Sequence, residues 1–181
     1  MAGARVLADG KTKFTILTTK PVDPAAPTAT ELNAGIDLSC DILSSDFTWG
    51  ATDSDKIAEK ALCDEGNANA IGASNYQAGL TLWRKFAVAG GFDAANETGW
   101  AALKEKGATL YGYARQMDKD ATDAWAAADE IYLGAEFITD TPQRTDGTGF
   151  IKYRIPAEVQ RGYPFIEVAA GASPLVTGWP L

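Results

Sequence analysis

Asn75-Tyr-Gln-Ala-Gly-Leu-Thr-Leu-Trp83 decides the fold class. Tyr76, Ala78, Leu80 and Leu82 fall on one side of this stretch, and Asn75, Gln77, Gly79 and Thr81 fall on the other. A repeat of two is the side-chain period of a strand. A strand with one apolar and one polar face belongs to a sheet that meets water on one side, the habit of antiparallel sheets. The segment around it, residues 70–88, carries the clearest long strand of the chain.

The same pattern recurs on both sides. Downstream, Thr109–Arg115, Glu130–Thr139, Phe150–Ile155 and Tyr163–Ala169 are short and rich in aromatic or β-branched residues. Turns carrying Asp, Gly and Pro separate them, among them Thr145-Asp-Gly-Thr-Gly149. One helix interrupts the series over Asp93–Gly107. Asp93 caps it, Trp100 and Leu103 sit three apart to lie on a sheet, and Gly107 ends it.

Upstream, Phe47-Thr-Trp49-Gly-Ala51 and Ile36-Asp-Leu-Ser-Cys40-Asp-Ile42 alternate as strands. Thr28-Ala-Thr30-Glu-Leu-Asn-Ala-Gly35 has a hydroxyl residue, an acid one position later and a closing glycine, which predicts one short helical turn. Lys20–Pro27 contains Pro21, Pro24 and Pro27 and is an extended connector, because proline donates nothing to a ladder. Before it, Val6-Leu7 and Phe14-Thr-Ile16-Leu17 flank an Asp9-Gly10 turn signal and read as a hairpin or an arm.

Antiparallel strands with one inserted helix predict a mainly β fold. Its two packed antiparallel sheets form a sandwich or open barrel, with the helix on one flank and extended arms and loops. The length suits a single domain over 1–181, with an N-terminal arm or hairpin over 1–27 and a C-terminal tail over 171–181. That tail is apolar without a period, which predicts fraying unless a neighbour ties it down. Deleting residues 171–181 is expected to weaken assembly more than folding.

Composition excludes several function classes. The chain has no histidine, which removes Ser-His-Asp and Cys-His nucleophile sites and His-ligated metals. Neither G-x-x-x-x-G-K-[ST] nor G-x-G-x-x-G occurs. Asp53-Ser-Asp55 and Asp118-Lys-Asp120 begin like calcium loops but lack the later ligands, so they read as solvated turns. Cys40 and Cys63 are expected to be free, buried thiols. No catalytic, metal or cofactor-binding residue stands out, and the expectation is a protein without cofactor that is not an enzyme. A net charge of −8 argues against binding nucleic acid, which takes a basic stripe. No apolar run is long enough to cross a membrane. Met1-Ala-Gly-Ala-Arg5 lacks the apolar core of a signal peptide, so synthesis and retention in a cytoplasm are expected.

Three segments carry a resemblance in their order and spacing. They are Pro27-Thr-Ala-Thr-Glu-Leu-Asn-Ala-Gly-Ile-Asp-Leu-Ser39, Gly99-Trp-Ala-Ala-Leu-Lys-Glu-Lys-Gly-Ala-Thr-Leu-Tyr-Gly-Tyr-Ala-Arg115 and Ile131-Tyr-Leu-Gly-Ala-Glu-Phe-Ile-Thr-Asp-Thr-Pro142. Together they resemble the major tail tube proteins of long-tailed bacteriophages, notably those of actinobacterial hosts. The resemblance runs over roughly residues 5–170. It implies a structural virion protein whose copies form rings, usually hexamers, that stack into the tail tube through which DNA is ejected.

The implied partners are the chain itself, within and between rings, with tape measure, tail terminator and tail tip proteins. DNA would pass through the lumen without specific binding, and no membrane is involved. The implied location is the virion tail, assembled in the host cytoplasm, with a non-contractile, siphovirus-like tail. An acidic wall would let phosphate slide past, and Asp46, Glu136 and Asp140, on polar strand faces, are the candidate lumen acids. Arg5, Val6, Phe14, Leu175 and Trp179 are the candidate inter-subunit contacts. The competing reading is a monomeric β-sandwich that binds carbohydrate on aromatics such as Trp49 and Trp83. A hydrolase built on two carboxylates would need a convergent pair in a cleft.

Overall fold

A computed structural model describes residues 5–145 and 147–171. Its largest element is an antiparallel sheet built from β1 (Thr12–Leu17), β2 (Ile36–Asp37), β3 (Thr48–Thr52), β6 (Asn75–Trp83), β7 (Thr109–Gln116), β8 (Glu130–Thr139), β9 (Gln143–Arg144) and β10 (Lys152–Glu167). The order is β2-β1-β7-β8-β10-β6-β3, with β9 beside β10. A separate pair, β4 (Lys56–Glu59) and β5 (Ala68–Ile71), forms its own hairpin. Among the described residues, two short α-helices, α1 (Ala29–Asn33) and α2 (Thr98–Leu103), and a 3-10 turn over Ser44–Asp46 accompany the strands.

The two layers expected from the sequence are parts of one sheet that bends over itself into an open barrel. Residues 36–43 draw its edges together. At one end this segment bonds β1, through Ile36 opposite Ile16 and the Leu38 N–H on the Phe14 carbonyl (2.9 Å). At the other it bonds β6, where Ile42 bridges Leu82 and the Leu43 N–H donates to the Thr81 carbonyl (2.9 Å). A turn between those contacts is why only Ile36–Asp37 forms a strand where the alternation predicts one through Ile42.

The barrel interior is aromatic. Phe14, Phe47, Trp49 and Phe137 meet edge to face or stacked, with centroids 4.7–6.5 Å apart, an arrangement that aromatic quadrupoles favour. Trp49 on β3 crosses the interior, and its indole N–H donates to the Leu133 carbonyl on β8 (3.1 Å). Leu80, Leu82, Leu110, Ala114, Leu133 and Ile155 fill the remainder, and α2 lays Leu103 against them. The opposite face of β1 and β7 holds a second apolar cluster of Leu17, Tyr111, Tyr113 and Trp125, covered by Leu32 of α1. Buried on both faces, β7 is a central strand in the full sense.

Several local readings need correction. Residues 5–8 form no strand. The chain turns at Asp9–Gly10, with Gly10 at φ +70° and the Lys11 N–H on the Ala8 carbonyl, so the N-terminal segment is an arm and not a hairpin. The cap of α1 is Thr28, three residues ahead of Glu31. The Thr28 hydroxyl accepts from the Glu31 N–H (3.2 Å), and Glu31 Oε2 accepts from the Thr28 N–H (2.8 Å), a capping box. The second helix is six residues long; Asp93 caps only the turn before it, accepting from the Ala95 and Asn96 N–H groups. Phe150–Ile155 and Tyr163–Ala169 lie on or beside one strand, β10, which passes through Pro156 and a bulge between Val159 and Arg161. Cys40 and Cys63 are free but exposed, because one sits in the turn after β2 and the other in the loop between β4 and β5.

Candidate interaction surfaces

The register of the sheet sorts its polar residues by face. Glu136 on β8 stands between Tyr111 of β7 and Arg161 of β10, while Glu158 pairs with Ile138. Two further steps along β10, Arg154 pairs with Thr81 of β6, whose hydroxyl donates to Asp46. Residues paired across antiparallel strands share a face, so Asp46 and Glu136 lie on the same side of the sheet. Asp140 follows β8 at the rim, exposed, 3.2 Å from the Lys106 ammonium and accepting from the Thr141 N–H. That N–H and then Lys106 hold the Asp140 carboxyl below the usual range, against a smaller opposing effect of burial.

This face is not purely acidic. Arg154 and Arg161 are exposed among Glu136, Glu158 and Asp46. Of the three acids expected on polar strand faces, Glu136 is on a strand, whereas Asp46 ends a 3-10 turn over Ser44–Asp46 and Asp140 follows β8; the reading did not place Arg154 or Arg161 beside them, because the pairing of β10 with its neighbours is not visible in the sequence.

The predicted contact residues separate. Arg5 and Val6 are exposed, Val6 at 48% and its neighbour Leu7 at 81%. Phe14 is a core residue at 1% exposure, so its ring serves the barrel and is not a surface anchor. Its edge contributes to the floor of a concavity of about 660 Å³ between Ala8–Gly10, Ser39–Phe47 and Gln116–Thr122. Leu175 and Trp179 lie outside the described residues. Trp49 is 6% exposed and its N–H is satisfied, which removes it as a platform for sugar rings.

Sequence reasoning missed a projecting hairpin. Beyond β3 and β6 the ribbon continues outward as β4 and β5, and every residue of those two strands is exposed. Asp55 joins the two parts: its N–H donates to the Ala73 carbonyl (2.9 Å), its carbonyl accepts from the Gly72 N–H (2.7 Å), and its carboxylate accepts from Asn75 Nδ2 (2.9 Å). Asp55 of the Asp53-Ser-Asp55 motif therefore ties the projecting hairpin to the end of β6. Ile57, Leu62 and Ile71 project at 52%, 107% and 84% exposure. A two-stranded hairpin with no core of its own is marginal in water.

A family model described as phage tail tube protein matches residues 1–172. No curated protein matches the chain.

Proposed function

We propose, since the chain belongs to the phage tail tube protein family, that its copies form hexameric rings that stack into the tube through which the genome is ejected. The family is one of structural components of the virion tail and not of enzymes. The finer reading assigns the chain to a non-contractile tail assembled in the host cytoplasm. There it would meet tape measure, terminator and tail tip proteins. The observation that carries self-association is the 56–71 hairpin, exposed along its whole length and without a partner surface among the described residues. A contact of this kind, repeated head to tail, generates a ring or a filament.

In this reading the face holding Asp46 and Glu136 lines the lumen. Its arginines make the wall mixed in sign, so DNA is kept from sticking by alternation of charge as well as by net acidity. The carbohydrate-module alternative loses support from the burial of Trp49.

The test is negative-stain electron microscopy of the purified protein at rising concentration, with size-exclusion chromatography of the same samples. Rings or hollow tubes with a central channel are expected. A chain that stays monomeric at every concentration, and also when seeded with tail-tip assemblies, would overturn the proposal.

A further inference from the structure

Six of the exposed large apolar residues come from two segments that the fold brings side by side: Trp83, Phe86, Val88 and Phe92 from one, Phe150 and Ile151 from the other. The Trp83 and Phe150 rings are 6.5 Å apart, the Arg84 N–H donates to the Ile151 carbonyl (2.9 Å), and Phe86 bridges Phe92. The patch rests on a fixed base. Beneath it the Arg84 guanidinium lies 4.0 Å over the Trp100 ring and grips the buried Glu97 carboxylate with two bonds, of 2.6 and 2.9 Å. Val88 and Phe150 nevertheless stand 111% and 81% exposed. Contiguous apolar surface of this kind on a folded chain marks an interaction site.

The charges around the patch are already engaged, Arg84 by Glu97 and Lys85 by Asp41 (2.6 Å). The surface therefore suits an apolar, uncharged occupant. Residues 172–181, Ala-Ser-Pro-Leu-Val-Thr-Gly-Trp-Pro-Leu, have no charged side chain and hold Leu175, Val176 and Trp179. They follow Ala169, whose N–H is bonded to the Pro27 carbonyl beyond the C-terminal end of β10. The patch adjoins the N-terminal end of the same strand. Sixteen residues of β10 make roughly 50 Å of strand contour, whereas the nine residues from Gly171 to Trp179, eight steps along the chain, span at most about 29 Å. That mismatch points to the tail of a neighbouring copy.

We infer that the Trp83–Phe92–Phe150 patch receives the Leu175–Trp179 segment of a second copy. The inference rests on the self-association reading and names its acceptor surface.

The experiment uses full-length chains in a background of Cys40→Ser and Cys63→Ser. One population carries Ala89→Cys, beside Val88, and the other Thr177→Cys, two residues before Trp179, and a short bismaleimide joins thiols that come close. Ala89 is exposed, and neither substitution removes an apolar anchor. Cross-linked pairs are expected in a yield that rises with protein concentration and exceeds, several-fold, that of a control pairing Lys106→Cys with Thr177→Cys. A chain carrying both Ala89→Cys and Thr177→Cys that closes on itself, independently of concentration, would overturn the inference in favour of its own tail. Electron microscopy of the same mixtures separates the remaining failures. Rings or tubes without specific cross-linking refute this acceptor surface alone, and the absence of both refutes the self-association reading with it.

Discussion

Arg115 and Asp129 meet at 2.7 Å with their side chains 0% and 2% exposed. The guanidinium also donates to the carbonyls of Asp120 (2.9 Å), Asp123 (3.2 Å) and Ala124 (3.2 Å), and it lies 5.2 Å from the Trp125 ring centroid. Asp129 accepts in turn from Lys119 and from the Ala126 N–H. One buried arginine at the end of β7 therefore organises the long connection to β8. Removing one member of a buried pair strands the other. Asp129→Ala is expected to lower unfolding free energy by about 3 kcal/mol, toward the low end for buried pairs because the carbonyls still hold Arg115. Lys119→Ala removes a partly exposed cation and leaves Asp129 its bonds from Arg115 and the Ala126 N–H, so it should lose less than Asp129→Ala, about 1 kcal/mol. Urea unfolding of both variants checks the contrast, and equal losses would contradict it.

The pH dependence of stability follows from the same carboxylate and from Glu97. Burial works against ionisation of Asp129, but Lys119, the Ala126 N–H and Arg115 outweigh it and hold its pKa below 3.8. Arg84 holds Glu97 below 4.5, against burial and with help from the Lys85 N–H. A depressed carboxylate stabilises in full above its unfolded pKa, and that contribution is lost as pH falls through the lower folded value. With no histidine in the chain, no side chain of ordinary pKa titrates between about pH 5 and 8. The thermal midpoint of unassembled protein should be level across that range and fall below about pH 4.5. A decline that began near neutrality would refute this account.

What could be read from the sequence followed how much of each element touches the core. The bounds of β7 and β8 were legible nearly to the residue, because Leu110, Ala114, Leu133 and Phe137 must point inward. The strand β10 was read as two because Glu158, Gln160 and Arg161 look like a loop. Those residues lie at the bulge, where the sheet faces solvent and the chain needs no apolar partner. The 56–71 hairpin left no pattern, since a segment that buries nothing in its own chain is under no periodic constraint. Alternation put Glu136 on the polar face of β8, whereas Asp46 sits in a 3-10 turn and not on a strand, and the arginines near them depend on a register that only pairing reveals. The reading of Phe14 as a contact failed for a related reason. An apolar residue near a turn looks the same in sequence whether it faces a neighbour or the barrel.

The crossing of the barrel by Trp49 depends on a missing side chain opposite it. A Cβ on Gly112 would lie 2.6 Å from Trp49 Cη2 and 3.1 Å from Phe14 Cζ. Gly112→Ala must displace the indole that bonds Leu133, and a cost of about 1–3 kcal/mol is expected, as for other overpacked cores. Gly50, one residue beyond Trp49, has nothing within 4 Å of its Cβ position. Gly50→Ala should therefore change stability by less than about 0.5 kcal/mol. Intrinsic tryptophan fluorescence during denaturant unfolding reads both. A destabilised Gly50→Ala together with a neutral Gly112→Ala would mean that β3 does not lie across the interior as described.

The hairpin gives the sharpest separation of folding from assembly. Asp55 and Gly72 already face each other, joined by the 2.7 Å bond from the Gly72 N–H to the Asp55 carbonyl. Replacing residues 56–71 by Asn-Gly would close the ribbon with a two-residue turn whose twist suits the flanking strands. Every strand residue removed is exposed, so the unfolding free energy of the monomer should change by less than about 0.5 kcal/mol. Assembly, in contrast, should be lost or shifted to much higher concentration, because the segment that requires a partner has gone. Calorimetry of the monomer and electron microscopy at matched concentrations provide the two readouts. Intact tubes from the shortened chain would assign the hairpin some other task. A large loss of monomer stability would mean that the projecting strands support the barrel from which they extend.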